Sequence, residues 1–200
     1  RLLGMAIKRV IDVVGSATAL VVLSPLLVGI AAYIKIRDGS PVIFHQERVG
    51  LHGRTFLCIK YRTMVPNAEA LYAEVEHLNR VKGPAFKLED DPRITRSGRF
   101  LRRTGLDELP QLVNVLRGEM SLVGPRPAPP REVAGYSVWH RRRLIMRPGL
   151  TGYWQVEARA DDDFDHRTKL DLEYIDHWSL WMDFKIMLRT IPAMASQQGR

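Results

Sequence analysis

The chain has 200 residues, of which 46% are hydrophobic, so it is long enough for one domain with a real core plus one appended element. Its formal net charge of +8 favours an anionic partner, such as nucleic acid, anionic lipid or a phosphorylated substrate. The single cysteine, Cys58, excludes an intrachain disulfide and fits a reducing compartment, and the start at Arg1 rather than methionine allows a missing N-terminal region.

An apolar run opens the chain, because residues 13–34 carry no charged side chain over 22 positions. A helix that spans a bilayer needs about 20 such residues, whereas the apolar core of a signal peptide has roughly 7–15. The run therefore predicts a membrane helix, and a fully buried helix of a soluble domain is the alternative.

Ser24 and Pro25 lie at the centre of this run and predict a break in the helix. Proline lacks an N–H and clashes with the carbonyl four residues earlier, here that of Val21, and the Ser24 hydroxyl is placed to hydrogen-bond a freed carbonyl. Basic residues favour the cytoplasmic side, and they occur on both flanks of the run: Arg1, Lys8, Arg9, Lys35 and Arg37. The pattern predicts a re-entrant helix–break–helix over residues 1–37, although a proline-kinked spanning helix fits the same residues.

From residue 38 onward the sequence predicts an α+β domain of helices with a small β-hairpin. Residues 42–46 and 55–61 are expected to be strands joined by a glycine-containing turn. Residues 67–80 place apolar side chains near a 3.6-residue spacing and predict a helix. A second amphipathic helix ends near Gly118. Its apolar face is formed by Leu109, Leu112, Val113 and Leu116.

Asp107 and Glu108 stand side by side at the start of that second helix. Acids in a first helical turn commonly cap the helix and favour its dipole, so a purely structural role is one interpretation. A group of arginines directly precedes them: Arg96, Arg99, Arg102 and Arg103. Other basic residues lie in turns or at strand ends and suit phosphate contacts: Lys60, Arg62, Arg126 and Arg147. An ionised aspartate among such cations is also suited to attack phosphorus and form an acyl-phosphate.

No other catalytic pattern competes with this acidic pair. The 6 histidines lack metal-ligand spacing, and the sequence contains no Walker, dinucleotide-binding or Gly-x-Ser-x-Gly motif. Residues 161–167, DDDFDHR, look like a calcium loop but lack its central glycine and closing glutamate, so they predict a solvated acidic turn.

Aromatic side chains recur every three or four residues near the C-terminus, at Tyr174, Trp178, Trp181 and Phe184. This spacing predicts that they share one face of one helix. Such a face suits a membrane interface, where tryptophan and tyrosine are favoured, and it equally suits packing against the domain core.

Several blocks in this order resemble those of the bacterial sugar transferases, the monotopic phosphoglycosyl transferases. The blocks are KYRTM, DPRITRSGRFLRRTGLDELPQLVNVLRGEMSLVGPRP, RPGLTGYWQV and DLEYIDHWSLWMDFKIMLRTI, and the resemblance covers nearly the whole chain. It implies a monotopic enzyme of the bacterial inner (cytoplasmic) membrane, with its site on the cytoplasmic face. Such an enzyme transfers a sugar-1-phosphate from a UDP-sugar donor to polyprenyl (undecaprenyl) phosphate and releases UMP. This step opens the synthesis of exopolysaccharide, O-antigen, capsule or another glycoconjugate.

The resemblance also implies roles for particular residues. It assigns Asp107 as the nucleophile that becomes phosphoglycosylated, and Glu108 as its partner in proton transfer or in positioning Mg²⁺. It assigns phosphate contacts to Arg102 and Arg126, and more weakly to Lys60, Arg62 and Arg147. Ser24 and Pro25 match the break of the re-entrant element, and residues 38–200 match a catalytic domain that lies on membrane lipid. The resemblance leaves the oligomeric state open, a homodimer included.

One departure and two alternatives accompany this interpretation. The letters EARADDDF, residues 157–164, stand where many members carry Gly-Arg, which leaves the specificity residues there undecided. The +8 charge also suits a non-enzymatic module that binds lipid or nucleic acid. The sequence shows no nucleic-acid motif, and two carboxylates among arginines would not help such binding, so no nucleic-acid partner is expected. A scaffold for a polysaccharide export complex is the third interpretation, and it would tolerate loss of Asp107.

Overall fold

The structure is a computed structural model that describes residues 2–79, 83–86, 88 and 90–195. It confirms an α+β fold with a small antiparallel sheet. In the described part of the chain the α-helices are α1 Leu2–Val22, α2 Ser24–Asp38, α3 Tyr72–Val75, α4 Arg96–Thr104, α5 Leu112–Arg117, α6 Pro130–Ala134, α7 Tyr153–Glu157, α8 Phe164–Asp176 and α9 Leu180–Ala195. The strands are β1 Ile43–Val49, β2 Thr55–Tyr61, β3 Ser121–Val123 and β4 Gly149–Thr151.

The N-terminal helices α1 and α2 meet at a bend of 62°. Pro25 stands in the first turn of α2, where its missing N–H costs no hydrogen bond. The Ser24 hydroxyl donates to the Val21 carbonyl over 2.8 Å, which confirms the predicted hydrogen bond at the break. Within the described residues, neither helix alone has the length and apolar composition to cross a membrane, whereas the bent pair together has both.

The first half of α1 is attached to the rest of the protein by a buried ion pair. The Lys8 ammonium lies 2.6 Å from Asp183 of α9 and also donates to the Val123 carbonyl. Asp183 accepts two more hydrogen bonds, from the Tyr174 hydroxyl at 2.7 Å and the Trp178 indole at 3.2 Å. Lys8 therefore makes specific contacts within the fold and is not only a basic residue that flanks a membrane helix.

Two further polar residues of α1 make the same kind of contact. The Arg9 guanidinium donates to the carbonyls of Val115 and Leu116 at the end of α5. These bonds satisfy carbonyl groups that have no hydrogen-bond donor within the helix itself. The Asp12 carboxylate accepts from the Ser121 hydroxyl and from the backbone of the next residue, at the start of β3. The N-terminal part of α1 is thus held against the domain, while apolar side chains after Asp12 remain exposed.

Strands β1 and β2 form the predicted hairpin, and they pair antiparallel from Ile43 opposite Tyr61 to Val49 opposite Thr55. β1 starts one residue later and runs three residues further than the predicted 42–46, because the extended backbone continues until the turn at His52, where φ is 56°. The side of the hairpin near Tyr61 packs with Ile34 of α2 and Leu101 of α4. Strands β3 and β4 form a separate parallel pair.

The predicted helix over residues 67–80 is wrong for most of its length. Only Tyr72–Val75 is α-helical, Glu76–Leu78 is a 3₁₀ turn, and the residues before Tyr72 form turns. No side chain caps the start of α3, and the Tyr72 ring instead contacts the guanidinium of Arg131 at 3.8 Å. Arg80, the predicted end, lies outside the described residues.

The prediction of one aromatic face at the C-terminus is also wrong, because two helices share these residues. α8 ends at Asp176, and the Ser179 hydroxyl accepts the Met182 N–H and so caps a new helix, α9. Tyr174 is fully buried, whereas Trp181 is 64% exposed. Core packing therefore describes the aromatic residue of α8, whereas α9 keeps an exposed face of the kind that suits a membrane interface.

Candidate active site

The acidic pair lies on a tight turn between α4 and α5. α4 starts with the Thr95 hydroxyl accepting the Gly98 N–H, and it ends at Gly105, whose φ of 70° suits a residue without a side chain. A 3₁₀ segment, Leu106–Gln111, follows and contains Pro110. Asp107 and Glu108 therefore occupy the first turn of a 3₁₀ segment and not of α5, since the proline inside the segment interrupts regular α-helical bonding.

Gly98 allows α4 to lie directly against the end of β2. A side-chain carbon at this position would be 2.1 Å from the Thr63 carbonyl, so any larger residue would push the helix away. The contact also brings Arg102 onto the Thr63 hydroxyl, with its Nε donating over 2.9 Å. The strand, the helix and the acidic turn are thereby fixed relative to one another.

Glu108 is held between two cations from distant parts of the chain. Arg126 donates to its carboxylate at 2.6 Å and 3.4 Å, and the Lys60 ammonium lies 3.5 Å away. Burial disfavours the charged form, but Arg126 and Lys60 outweigh it and hold the pKa of Glu108 below its usual range. Glu108 is therefore an ionised anchor for both cations.

Asp107 differs from Glu108 although it is the next residue. It is 8% exposed, and its carboxylate makes no hydrogen bond or ion pair with a described residue. Burial raises the pKa of Asp107, and the charge of Glu108 raises it further, against the opposing charges of Lys60, Arg102 and Arg126. Two adjacent carboxylates in such different environments are typical of a site with divided roles.

The structure brings some of the predicted phosphate residues together and separates others. Lys60 and Arg126 contact Glu108, and Arg102 is close enough to influence the charge of Asp107. Arg62 instead donates to the carbonyls at the end of α2, those of Asp38 and Gly39. Arg147 donates to the Gly118 carbonyl at the end of α5. The described hydrogen bonds of these last two arginines therefore hold backbone and do not reach the acidic pair.

Two arginines that the sequence analysis did not single out support Arg126. The Arg48 side chain on β1 donates to the Pro127 carbonyl at 2.8 Å, and the Arg143 side chain donates to the Arg126 carbonyl at 3.3 Å. Gln46, two residues before Arg48 on the same strand, accepts two bonds from the Arg48 guanidinium. The sequence signal for this contact is the two-residue spacing of Gln46 and Arg48 on β1. That spacing does not identify the loop that Arg48 contacts.

The pair offers hard oxygen ligands of the kind that Mg²⁺ prefers. Among the described residues there is no group of three or more histidine, cysteine, aspartate or glutamate side chains that could hold a metal ion. Mg²⁺ commonly binds through one or two carboxylates and completes its coordination with substrate phosphates and water. The carboxylate of Asp107, which no described residue engages, lies next to Glu108 and fits that mode.

The chain was compared with known proteins. A family model described as bacterial sugar transferase matches residues 3–197. The chain belongs to this family. Among its relatives, the galactosyl transferase CpsE of Streptococcus agalactiae is 45% identical over 96% of the chain and 43% of its own length. The undecaprenyl-phosphate galactose phosphotransferase of Salmonella typhimurium is 43% identical over 96% of the chain and 41% of its own length.

A shorter relative is matched along most of its length. The exopolysaccharide production protein ExoY of Sinorhizobium fredii is 40% identical over 100% of the chain and 90% of its own length. The chain therefore spans about two fifths of the first two relatives and nearly all of the third. The family expected from the sequence blocks is confirmed.

Proposed function

We propose that this chain transfers a sugar-1-phosphate from a UDP-sugar to undecaprenyl phosphate or a similar polyprenyl phosphate, with release of UMP. The observation that carries the proposal is the buried carboxylate of Asp107, which has no hydrogen-bonding or ionic partner among the described residues, beside Glu108, which Arg126 and Lys60 hold. Family membership and the relative named as an undecaprenyl-phosphate galactose phosphotransferase support the same reaction class.

The proposed reaction has two steps at one phosphorus atom. A carboxylate oxygen of Asp107 attacks the β-phosphorus, the bond to the bridging oxygen breaks, and UMP leaves with that electron pair. An oxygen of the polyprenyl phosphate then attacks the same phosphorus, and the bond to Asp107 breaks and restores the carboxylate. The covalent intermediate lets one small site serve a soluble donor and a lipid acceptor in turn.

Electrostatics around the pair favour the first step. Lys60 and Arg126 contact Glu108, and the charge of Arg102 acts on Asp107, so three cations accompany two carboxylates and the site retains positive charge that can attract a pyrophosphate. The raised pKa of Asp107 keeps the group a better nucleophile than an ordinary aspartate once it is ionised. Mg²⁺ held by Asp107 and Glu108 would add neutralising charge for the phosphates when bound.

We further propose that α1 and α2 form a re-entrant element of the bacterial inner membrane, with both ends on the cytoplasmic face. The contacts of Lys8 with Asp183 and of Arg9 with α5 hold the start of α1 on the side of the acidic pair. A straight spanning helix would place Lys8 across the bilayer from its partners, so the docked start favours the bent form. The exposed apolar side chains of α9, including Trp181 and Leu188, suit contact with membrane lipid.

The proposed function is tested by UMP release from a panel of UDP-sugars with undecaprenyl phosphate in detergent. At least one UDP-sugar should yield UMP and a lipid-linked sugar phosphate, and excess EDTA should stop both until Mg²⁺ is restored. Absence of UMP and lipid product with every donor would contradict the proposal. Full activity in EDTA would contradict only the proposed role of the metal and would leave the reaction itself supported.

A pH prediction follows from the different environments of the two acids. Asp107 acts as a carboxylate, so UMP release should decline on acidification through its raised pKa, at a pH above that of an ordinary aspartate. Glu108→Gln removes the neighbouring charge and frees Arg126 and Lys60 to act on Asp107, so this acid limb should move to lower pH. Single-turnover UMP release, scaled to the plateau of each variant, measures the limb. Glu47→Gln, at an exposed residue of β1, is the control and should leave the acid limb of the pH profile at the same pH. If Glu108→Gln leaves that limb at the parent's pH or moves it to higher pH, the two carboxylates are not coupled.

The break at Ser24 and Pro25 leads to a prediction on topology. A proline inside a helix costs about 3 kcal/mol relative to alanine, which is of the order of one charged residue at mid-bilayer. Replacing both residues by alanine should therefore allow part of the population to straighten and to span. A cysteine placed near Arg1, labelled in intact cells by a membrane-impermeant reagent, should be protected in the parent chain and partly labelled in the double-alanine variant. Ready labelling of the parent would contradict the re-entrant form.

A further inference from the structure

The loop that carries Arg126 depends on other elements to hold its backbone in place. It runs from Gly124 to Ala128, between β3 and α6, and it contains Pro125 and Pro127. Proline has no N–H group, so at both positions the backbone can hydrogen-bond only through its carbonyl. A residue that donates to one of these carbonyls therefore helps to set the position of the Arg126 side chain.

Four consecutive carbonyls of this loop, those of residues 125–128, each accept a hydrogen bond from another element. Backbone N–H groups donate to the two outer carbonyls, and arginine side chains donate to the two inner ones. In chain order of the carbonyls the donors are Gly149 at 2.9 Å, Arg143 at 3.3 Å, Arg48 at 2.8 Å and Val49 at 2.8 Å. Arg143 also forms a buried ion pair with Asp171, so its contact with the loop is only part of its role.

Arg48 is committed to this loop more closely than Arg143 is. Besides the Pro127 carbonyl, the described hydrogen bonds of its guanidinium go only to the side-chain oxygen of Gln46, at 2.5 Å and 3.0 Å. Gln46 lies two residues earlier, on the same face of β1, and so fixes the orientation of the guanidinium. The planar fork of arginine can bind both acceptors at once, which the single ammonium of a lysine would do less well.

Arg48 also lies within electrostatic range of the acidic pair. Burial lowers the pKa of Arg48, the charge of Arg126 lowers it further, and the charge of Glu108 opposes both. Arg48 is therefore a further cation beside the contact between Arg126 and Glu108, and the sequence blocks assigned it no role.

We propose that Arg48 is a positioning residue of the transfer reaction, which holds the Pro127 carbonyl and thereby fixes the Arg126 side chain against Glu108 and the donor phosphates. The inference rests on the proposed function and adds a residue to it. Arg126 lies 2.6 Å from Glu108 while 34% of its side chain is exposed, so it can serve the carboxylate and a phosphate together. Arg48 itself touches no reacting atom and acts only through the loop. A displacement of about 1 Å at such a group can cost on the order of 10²-fold in rate.

A double-mutant cycle separates this role from a direct contact and from a purely structural effect. The full chain is prepared as the parent, Arg48→Met, Arg126→Met and the double variant. The measurement is kcat/KM for UMP release with an accepted UDP-sugar and undecaprenyl phosphate. Arg48→Met should lower kcat/KM by roughly 10- to 100-fold in the parent but by about twofold or less in the Arg126→Met background. The melting temperature should change equally in both backgrounds, because Pro127 loses the same hydrogen bond in each.

Gln46→Met is a second variant, which keeps the charge of Arg48 but removes the acceptor that orients it. It should lower kcat/KM in the same direction as Arg48→Met, and this effect should also disappear in the Arg126→Met background. Should Arg48→Met fail to fold, Gln46→Met carries the test alone. Arg54→Met, at an exposed arginine in the turn of the same hairpin, is the control and should leave kcat/KM unchanged.

An effect of Arg48→Met that is as large in the Arg126→Met background as in the parent would overturn the inference, since Arg48 would then act without Arg126. An unchanged kcat/KM in both Arg48→Met and Gln46→Met would also overturn it. If the Arg126→Met protein turns over too slowly, calorimetric titration with UDP, which retains the pyrophosphate, gives the same comparison. Absence of UMP release by the parent with every donor would refute the proposed function itself, whereas release by the parent with either contrary result refutes only the role of Arg48.

Discussion

Asp107→Asn is expected to lower UMP release by roughly 10³-fold or more, the scale found when a catalytic nucleophile is removed. Asparagine keeps the shape of the side chain but has no anionic oxygen to attack phosphorus. The replacement breaks no hydrogen bond to a described residue, so the fold and the melting temperature should be preserved. Initial rates of UMP release at saturating donor measure the effect.

Asp176→Asn is a matched control, because Asp176 forms an exposed ion pair with Arg142 and should not affect turnover. An Asp107→Asn protein within tenfold of wild type would rule out the nucleophile. It would instead favour a binding module or a scaffold, since neither function needs this carboxylate.

Lys8→Met is expected to lower the free energy of unfolding by about 3–5 kcal/mol, since removing one partner of a buried ion pair leaves the other charge uncompensated. The Lys8 and Asp183 side chains are only 6% and 8% exposed. For a chain of this size the loss corresponds to a fall of roughly 6–20 °C in melting temperature. Thermal unfolding of parent and variant in the same detergent gives the comparison.

Two controls separate this effect from a general response to charge removal. Arg142→Met breaks an exposed pair and should cost about 1 kcal/mol or less. Adding Asp183→Asn to Lys8→Met removes the unpaired charge while keeping an acceptor for Tyr174 and Trp178, so it should recover part of the lost stability. A Lys8→Met protein as stable as the parent would show that α1 is not anchored by this pair.

Features set by a few neighbouring residues could be predicted from the sequence. The break between α1 and α2 depends on Ser24 and Pro25, and the hairpin depends on two short strands joined by a glycine-containing turn. The acidic turn was placed next to its arginines because Asp107 and Glu108 follow them directly in the chain. In each case the physical cause lies within about one turn of the residue concerned.

Features that depend on distant contacts could not be predicted. Spacing alone favoured a helix over residues 67–80, but the chain there forms only short turns of helix beside Arg131. The Ser179 cap starts a new helix, α9, inside a stretch whose aromatic spacing favours one continuous helix. The spacing alone does not show that the cap prevails. Lys8 and Asp183 are 175 residues apart, so nothing local marks them as partners.

The assignment of site residues divides in the same way. Glu108 and Arg126 lie 18 residues apart and meet only because the strand β3 returns the chain to the acidic turn. Arg62 and Arg147 look like phosphate ligands by composition, yet their described hydrogen bonds hold the ends of helices. Residue type and turn position therefore identify candidate cations, whereas the backbone path decides which of them face the carboxylates.

The central claim is that Asp107 carries the sugar phosphate between donor and acceptor, and trapping this species tests it most directly. The purified chain is incubated with an accepted UDP-sugar and no lipid acceptor, quenched in acid, digested and analysed by mass spectrometry. The peptide that contains Asp107 should gain the mass of one phosphosugar, in step with UMP release, and should lose it when undecaprenyl phosphate is added before the quench. UMP release and lipid product without any such adduct, or with an adduct on another residue, would contradict the account.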